Sequence, residues 1–273
     1  MANNTLKFRF SDISYDPSSL TTLTGATWTQ ISSEPNVWLW DASNVVETDW
    51  STAFNNKLIT SGNNVEIIDA GALTTPIILG SGSGKSASGM FSNNTMLLSV
   101  CPLSFPNATN CSFLFRTCLH LAGSVSISCP SATTIYDCFG GSNSSSNTAL
   151  TSATITTSSS LVTANLVFRG CAALQSFSIS NTSSVTTFDS LCLSCASLQT
   201  VPLLATGAAT NVVDMFKGCT NVESGALALY TQMSTQTTPP SSYSGCFTHC
   251  GSNTVTGAAE LAQIPAAWGG TGA

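Results

Sequence analysis

The chain has 273 residues, of which only 20 are charged, and its formal net charge is −6. Charged residues make up 7% of the chain, against about 25% in a typical soluble domain, whereas serine and threonine together number 80. Seven basic residues are too few for a surface that follows nucleic-acid phosphates, and no apolar run reaches the ~18 residues of a membrane helix. We therefore expect neither a nucleic-acid partner nor membrane insertion.

The first 62 residues differ from the rest of the chain and are interpreted as an N-terminal cap or attachment module (1–62). The segment Lys7–Phe10 alternates like a strand, and four of the five tryptophans lie in this part. Their indoles either pack inside a cap or form an aromatic docking or glycan-stacking surface. The tryptophans of that candidate surface are Trp28, Trp38, Trp40 and Trp50.

A glycine-rich segment, Gly80–Ser86, is similar to a phosphate-binding loop. That motif requires glycine five positions before the glycine of its Gly-Lys pair, and Leu79 stands there. We expect a turn at this segment, and no cofactor.

From residue 63 to residue 256 the chain repeats with a period of about 24 residues. The anchor is an apolar residue and Phe, followed by a polar residue, a small residue and Cys, as in Met215–Cys219. The intervals between anchors are 24, 24, 29, 24, 24 and 31 residues. The two long intervals contain Gly141–Asn147 and Tyr230–Gly245, the second of which is expected to be a surface loop. The residues at the Phe position are Phe91, Phe115, Phe139, Phe168, Cys192, Phe216 and Phe247.

Each anchor is followed by Leu-x-x-apolar-x-apolar, as in Leu150–Ile155, Leu174–Ile179 and Leu198–Leu203, with a weaker copy at Val222–Leu227. This alternation predicts a short strand with one face inward. A Thr/Asn-rich stretch before each anchor favours an N-capped helical turn. The sequence thus predicts a β-rich solenoid of about seven coils, with a parallel β-sheet and short helical or irregular arms.

The outward strand positions of these coils would form a neutral surface of hydroxyl and amide groups. Extended solenoid faces commonly bind partners, although a merely solvated sheet fits the same residues. The outward positions are Ser152 and seven candidate binding residues, namely Thr151, Thr154, Gln175, Ser176, Ser178, Gln199 and Thr200.

The eleven cysteines mostly follow the repeat, so the Cys position is expected to form an inward ladder of small apolar side chains. Its members are Cys118, Cys171, Cys195 and Cys219. The N-terminus, MANNTLKFRF, does not resemble a signal peptide, so we expect cytosolic folding and reduced thiols. Cys246, His249 and Cys250 supply three candidate zinc ligands where a structural site needs four, so no metal is expected.

Acid–base groups are scarce. His120 and His249 are the only histidines, and both are expected at edges or turns. Asp137 and Asp214 share one repeat position, two before Phe, where a stacking or hydrogen-bonding role fits better than catalysis. We expect no catalytic residue.

Residues 257–273 are interpreted as a C-terminal cap and tail. The segment Ala258–Trp268 would form a short amphipathic cap with Trp268 tucked in, and Gly269–Ala273 would be loose.

The pattern Ala-Thr-Asn-Val-x-Asp-Met-Phe-x-Gly-Cys, which begins at Ala209, resembles the BspA-like branch of leucine-rich repeats. The resemblance covers about residues 85–255. Such repeats occur in surface proteins of gut bacteria and protists, and in structural proteins of phages that infect such bacteria. It implies a leucine-rich-repeat-like scaffold with no shared catalytic residues.

Three functions follow as hypotheses. The first is a phage virion component in a head or tail fibre or on the capsid, which contacts itself, other virion proteins, or a host glycan or protein. The second is a secreted cell-surface adhesin, located outside the cell. The third and most remote is a carbohydrate-active enzyme, which would require a carboxylate pair that the sequence does not single out.

Overall fold

The computed structural model describes residues 4–20, 25–45, 53–55, 57–58, 63–71, 86–141, 147 and 149–272. These residues form a β-rich structure with a β-solenoid and few helices, which confirms the predicted fold class at that level. The strands are β1 (Thr5–Phe10), β2 (Thr27–Ile31), β3 (Glu34–Asp41), β4 (Val65–Ala70), β5 (Leu97–Val100), β6 (Leu103–Ser104), β7 (Gly123–Ser128), β8 (Leu150–Thr156) and β9 (Ser176–Ile179). The helices are α1 (Ala226–Ser234) and α2 (Val255–Leu261), with 3₁₀ turns at Pro17–Ser19 and Ala266–Trp268.

The N-terminal strands form an antiparallel sheet that joins the solenoid through β4. The strand order is β2-β3-β1-β4-β5, with β1 antiparallel to both of its neighbours and β4 parallel to β5. Leu6, Phe8 and Phe10 alternate inward along β1 and are fully buried. The predicted alternation of this segment is therefore confirmed.

The strands β6 to β9 run parallel to one another and form the regular part of the solenoid. Val125, Ala153 and Phe177 lie side by side in register on the inward face, and all three are buried. Each strand alone could not bury this face, so neighbouring coils stabilise one another.

A second ladder runs along the opposite part of the repeat, five residues before each Phe position. Single parallel bridges join its members in succession, with no break from residue 86 to residue 242. The members are Ser86, Asn110, Thr134, Thr163, Thr187, Asn211 and Ser242.

The side chains at the Phe position stack through the core. The rings of Phe91 and Phe115 are 5.3 Å apart with 5° between their planes, and Phe54 extends the stack on the N-terminal side at 5.5 Å from Phe91. Where Cys192 interrupts the stack, Phe177 of β9 fills the gap and contacts the rings of Phe168 (5.0 Å) and Phe216 (6.4 Å).

The stretches before each anchor are turns, so the predicted N-capped helical turns are wrong. The residue two before the Phe position has a positive φ in successive coils, for example 56° at Phe113, 50° at Asp137 and 61° at Leu166. This conformation costs about 1–2 kcal/mol for a non-glycine residue. The positive φ is maintained because the amide of this residue donates a hydrogen bond to a carbonyl of the next coil. The amide of Phe113, for example, donates to the Tyr136 carbonyl at 2.9 Å.

The C-terminal part departs from the predicted strands. Of the segment Leu198–Leu203 only a bridge between Thr200 and Ser224 remains. Gly225 has φ of 99°, where a Cβ would lie 2.2 Å from the Val201 carbonyl oxygen, and α1 begins at the next residue. The prediction of a strand at Val222–Leu227 is therefore wrong. The predicted loop Tyr230–Gly245 is wrong for residues 230–234, which belong to α1, and is confirmed for residues 235–245, which form no helix or strand.

Trp268 is 7% exposed and stacks on Tyr243 at 4.3 Å, as the C-terminal cap prediction requires. The tail prediction is wrong for residues 269–272, because Thr271 donates its amide hydrogen to the Leu261 carbonyl and Gly272 to the Ile264 carbonyl.

Candidate binding surface

The outward face of β7, β8 and β9 carries hydroxyl side chains in aligned rows. Ser126, Thr154 and Ser178 form one row in register, and Ser124, Ser152 and Ser176 form another. We call this face the hydroxyl surface. Its members are Ser124, Ser126, Ser128, Ser152, Thr154, Thr156, Ser176 and Ser178.

The rows have the spacing of the sheet, about 4.8 Å from strand to strand. Ser152 donates a hydrogen bond to Ser124 along its row, with the two oxygens 2.6 Å apart. Every hydroxyl can donate and accept, so the surface can match the hydrogen-bonding groups of a neutral partner.

The structure places the predicted binding residues on and beside this surface. Thr154, Ser176 and Ser178 lie on it and are exposed. The remaining four lie at its edge, where backbone hydrogen bonds join successive coils. The amide of Gln175 donates to the Thr151 carbonyl, and the amide of Gln199 donates to the Gln175 carbonyl. The exposed members of this edge are Gln175, Gln199 and Thr200, whereas Thr151 is half-buried.

Sequence reasoning missed the members of β7 and the last residue of β8. In β7 the strand begins one residue later than in other repeats, so an alignment on leucine hides Ser124, Ser126 and Ser128. The alternation of Val125 and Ile127 is the signal that identifies them.

The predicted aromatic docking surface is wrong for Trp38 and Trp40. Trp40 is fully buried, with its ring 4.8 Å from that of Phe54, and Trp38 is 8% exposed. Trp28 is half-buried, and its ring lies 5.2 Å from that of Phe8. Because strand alternation turns these indoles inward, they pack in the N-terminal core. Trp50 lies outside the described residues.

Asp137 is the most buried carboxylate of the described coils, with 2% of its side chain exposed. Its Oδ2 lies 3.0 Å from Nε of Arg116 and 4.0 Å from Nη2 of Arg169, which belong to the two flanking coils. Burial raises the pKa of Asp137 above its usual value, and the two guanidinium groups only partly oppose that rise. A Cβ at Gly140 would lie 2.2 Å from Oδ1, so glycine gives this carboxylate its space.

Asp214 occupies the same repeat position and contacts Lys217, with Oδ2 3.2 Å from Nζ. Asp137 and Asp214 are thus paired with cations.

The side chain at the Cys position donates a hydrogen bond to the carbonyl at the Phe position of the preceding coil. The Sγ of Cys118 lies 3.1 Å from the Phe91 oxygen, and that of Cys195 lies 3.0 Å from the Phe168 oxygen. Asn94 donates to the Phe54 carbonyl and Asn147 to the Phe115 carbonyl in the same way. The predicted inward ladder is confirmed, and asparagine substitutes for cysteine because both are small donors.

All eleven cysteines are unpaired, and ten of them are buried. Burial raises the pKa of Cys118 to about 12 and that of Cys192 to about 11. Thiolates, which react with oxidants and metals, are therefore disfavoured along this ladder.

His120 and His249 are exposed, whereas Cys246 and Cys250 are buried. Within the described ranges, no group of three or more His, Cys, Asp or Glu side chains is placed to hold a metal ion. Among the helices of the described residues, none has the length and apolarity needed to cross a bilayer.

No protein-family model matches the chain, and no curated protein or solved structure is similar enough to count as a match.

Proposed function

We propose that this chain is a non-enzymatic structural and interaction protein, a phage virion surface component of a head or tail fibre or capsid decoration. Its hydroxyl surface would contact other virion proteins or a host surface glycan or protein. The observation that carries this proposal is the set of in-register serine and threonine hydroxyls on one face of the parallel sheet.

The proposal includes a leucine-rich-repeat-like solenoid of seven BspA-like coils. Support comes from the seven residues of the bridge ladder, each at the same distance from a Phe position. Support also comes from the donor ladder at the Cys position, which repeats coil by coil.

Folding in a host cytoplasm, before assembly into the particle, is part of the same proposal. Eleven unpaired thiols, ten of them buried, favour a reducing compartment, since exported proteins use cysteine mostly for disulfides.

Mass spectrometry of purified particles tests this function. The chain is expected in particles made under conditions in which the gene is expressed, and its absence from them would overturn the virion role. Recovery from the outer cell surface would favour an adhesin that uses the same hydroxyl surface.

Lysine substitutions test the surface itself. The double variant Thr154→Lys/Ser178→Lys replaces two small hydroxyls of adjacent strands by long charged side chains. Its incorporation into particles, or its binding to host cells, should fall at least about tenfold, because a partner would have to desolvate these charges. Ile13→Lys is the matched control, since Ile13 is 67% exposed and is not a member of that surface. Equal binding by the double variant and the control would rule out the hydroxyl surface.

A further inference from the structure

The N-terminal sheet has a cavity at one end of its central strands. Antiparallel pairing brings the end of β1 beside the beginnings of β3 and β4, and the cavity lies where these three meet. Its volume is about 170 Å³, below the roughly 300–1,000 Å³ of most small-molecule sites, so it suits a single small ring. The side chains that line it include Arg9, Ser11, Asn36, Asn64, Glu66 and Leu98.

The charged groups of this cavity are held in place by the sheet. Arg9 of β1 faces Glu66 of β4 in register, and Glu66 faces Ser99 of β5. The Oε2 of Glu66 lies 3.3 Å from Nη1 of Arg9, and its Oε1 accepts a hydrogen bond from the Ser99 hydroxyl at 3.4 Å. A guanidinium and a carboxylate thus lie side by side before any ligand binds, which lowers the entropy cost of binding.

Two asparagines add neutral hydrogen-bonding groups. The Nδ2 of Asn36 donates to the Phe10 carbonyl at 3.0 Å. Among the described residues this is the one hydrogen bond of that side chain, which leaves an N–H and the Oδ1 acceptor for a ligand. Asn64 is positioned by its backbone, whose carbonyl accepts from the Ser11 amide and whose amide donates to the Ser11 hydroxyl, both at 3.0 Å.

The charge balance of the cavity favours a neutral ligand. Arg9 lies near a second carboxylate, that of Glu34, with Nη2 3.9 Å from Oε2. Two carboxylates and one guanidinium carry a net charge of −1, so an anionic ligand would be repelled by the excess charge and a cation would have to approach Arg9. A neutral polar molecule meets neither cost.

We infer that this cavity binds one neutral sugar residue. Arg9 can only donate hydrogen bonds and Glu66 can only accept them, so adjacent sugar hydroxyls can accept from one and donate to the other. The half-buried Leu98 offers an apolar contact to the C–H groups of the ring. Arg9 and Asn64 are exposed, so the cavity opens to solvent and the sugar can be the terminal residue of a glycan.

The inference goes beyond the proposed function, because the cavity shares no residue with the hydroxyl surface. Titration of the intact chain with glucose, galactose, mannose and N-acetylglucosamine, followed by saturation-transfer NMR, tests it. At least one of these sugars is expected to bind saturably with a millimolar dissociation constant. The absence of saturable binding by all of them would overturn the inference, as would tighter binding of the carboxylated sugar N-acetylneuraminic acid.

A matched pair of glutamine variants tests the role of the cavity. Glu66→Gln keeps the size of the side chain but removes a charged acceptor, and sugar binding should weaken at least about tenfold. Glu34→Gln makes the same change at the other carboxylate beside Arg9, which does not line the cavity, and sugar affinity should stay within about twofold of wild type. Equal losses in both variants would contradict a site in the cavity.

Filling the cavity tests its location. Asn64→Trp adds a large side chain at an exposed position, so it should abolish sugar binding while the melting temperature stays close to that of wild type. Retention of sugar binding by Asn64→Trp would overturn the inference. Thr154→Lys/Ser178→Lys should bind the sugar as wild type does, so failure of the cavity site and failure of the hydroxyl surface are measured separately.

Discussion

The N-terminal antiparallel strands and the stacked coils both bury an apolar core, but they do so with different residues. Twelve of the 20 charged residues lie in the first 85 positions, and all eleven cysteines lie after position 100. The N-terminal core packs its rings at mixed angles, 53° between Phe8 and Trp28, whereas the rings of Phe91 and Phe115 in the coils are within 5° of parallel. The core of the coils is therefore built from side chains that stack on the equivalent side chains of neighbouring coils. The core of the N-terminal strands is built from side chains that alternate inward along each strand.

The difference accounts for the low charge of the chain. In stacked coils a residue lies about 4.8 Å from its copies above and below, so like charges at one repeat position would repel. The position after Phe shows the constraint, because Arg116, Arg169 and Lys217 alternate there with the uncharged Gly140 and Leu193. Serine, threonine and asparagine have no such restriction, since each can donate to one neighbour and accept from another.

Phe115→Ala should give the largest effect on the coils. It removes a fully buried ring that lies 5.3 Å from Phe91 and 5.4 Å from Phe139, and we expect a loss of about 3–5 kcal/mol in the free energy of unfolding. Urea denaturation measures it. Val255→Ala, at a side chain 90% exposed, is the control and should change stability by less than about 0.5 kcal/mol. Similar values for both variants would show that the stack contributes little.

Cys192→Phe should have an intermediate effect. It restores Phe to the repeat position, but the ring of Phe177 already fills that gap, so overpacking should cost about 1–3 kcal/mol. The double variant Cys192→Phe/Phe177→Leu removes the competing ring and should recover most of the loss. If the double variant were less stable than the single one, the assignment of Phe177 to the gap would be wrong. Thermal denaturation of the three proteins decides between these outcomes.

The repeat predicted the solenoid and its inward residues because a side chain that stacks on its own copies leaves a period in the sequence. The buried Trp40 and the departure of α1 from the pattern were not predictable in this way. The burial of Trp40 depends on the pairing of β3 with β1, which are separated in the chain by β2. The sequence pattern does not determine which strands pair. At Gly225, the close approach of the Val201 carbonyl determines the turn, and that contact exists only in the folded coil.

The hydroxyl surface was predicted in part for the same reason. Thr154, Ser176 and Ser178 follow the leucine-aligned repeat, but β7 is shifted by one residue, and a shift of one residue reverses which side chains face outward.

The pH dependence of stability should have opposite signs in the two regions, and this is the smallest effect. Burial raises the pKa of Asp137 in the folded coils above its unfolded value near 3.8, so the folded state holds that proton more tightly. The stability from this group is therefore greatest at low pH and is lost as pH rises through the folded pKa. The unfolding free energy of wild type minus that of Asp137→Asn should fall as the pH is raised from about 3.5 to 7.

Asp12 supplies the matched comparison in the N-terminal part. Its carboxylate accepts hydrogen bonds from the Ser14 hydroxyl (2.7 Å) and the Ser14 amide (2.8 Å), and these bonds hold the pKa of Asp12 below its usual value. The unfolding free energy of wild type minus that of Asp12→Asn should therefore rise with pH over the range in which the carboxyl of the unfolded chain still titrates. If the unfolding free energy of wild type minus that of Asp137→Asn also rose with pH, the pairing of Asp137 with Arg116 and Arg169 would outweigh the effect of burial. The coils would then tolerate a buried charge better than their composition indicates.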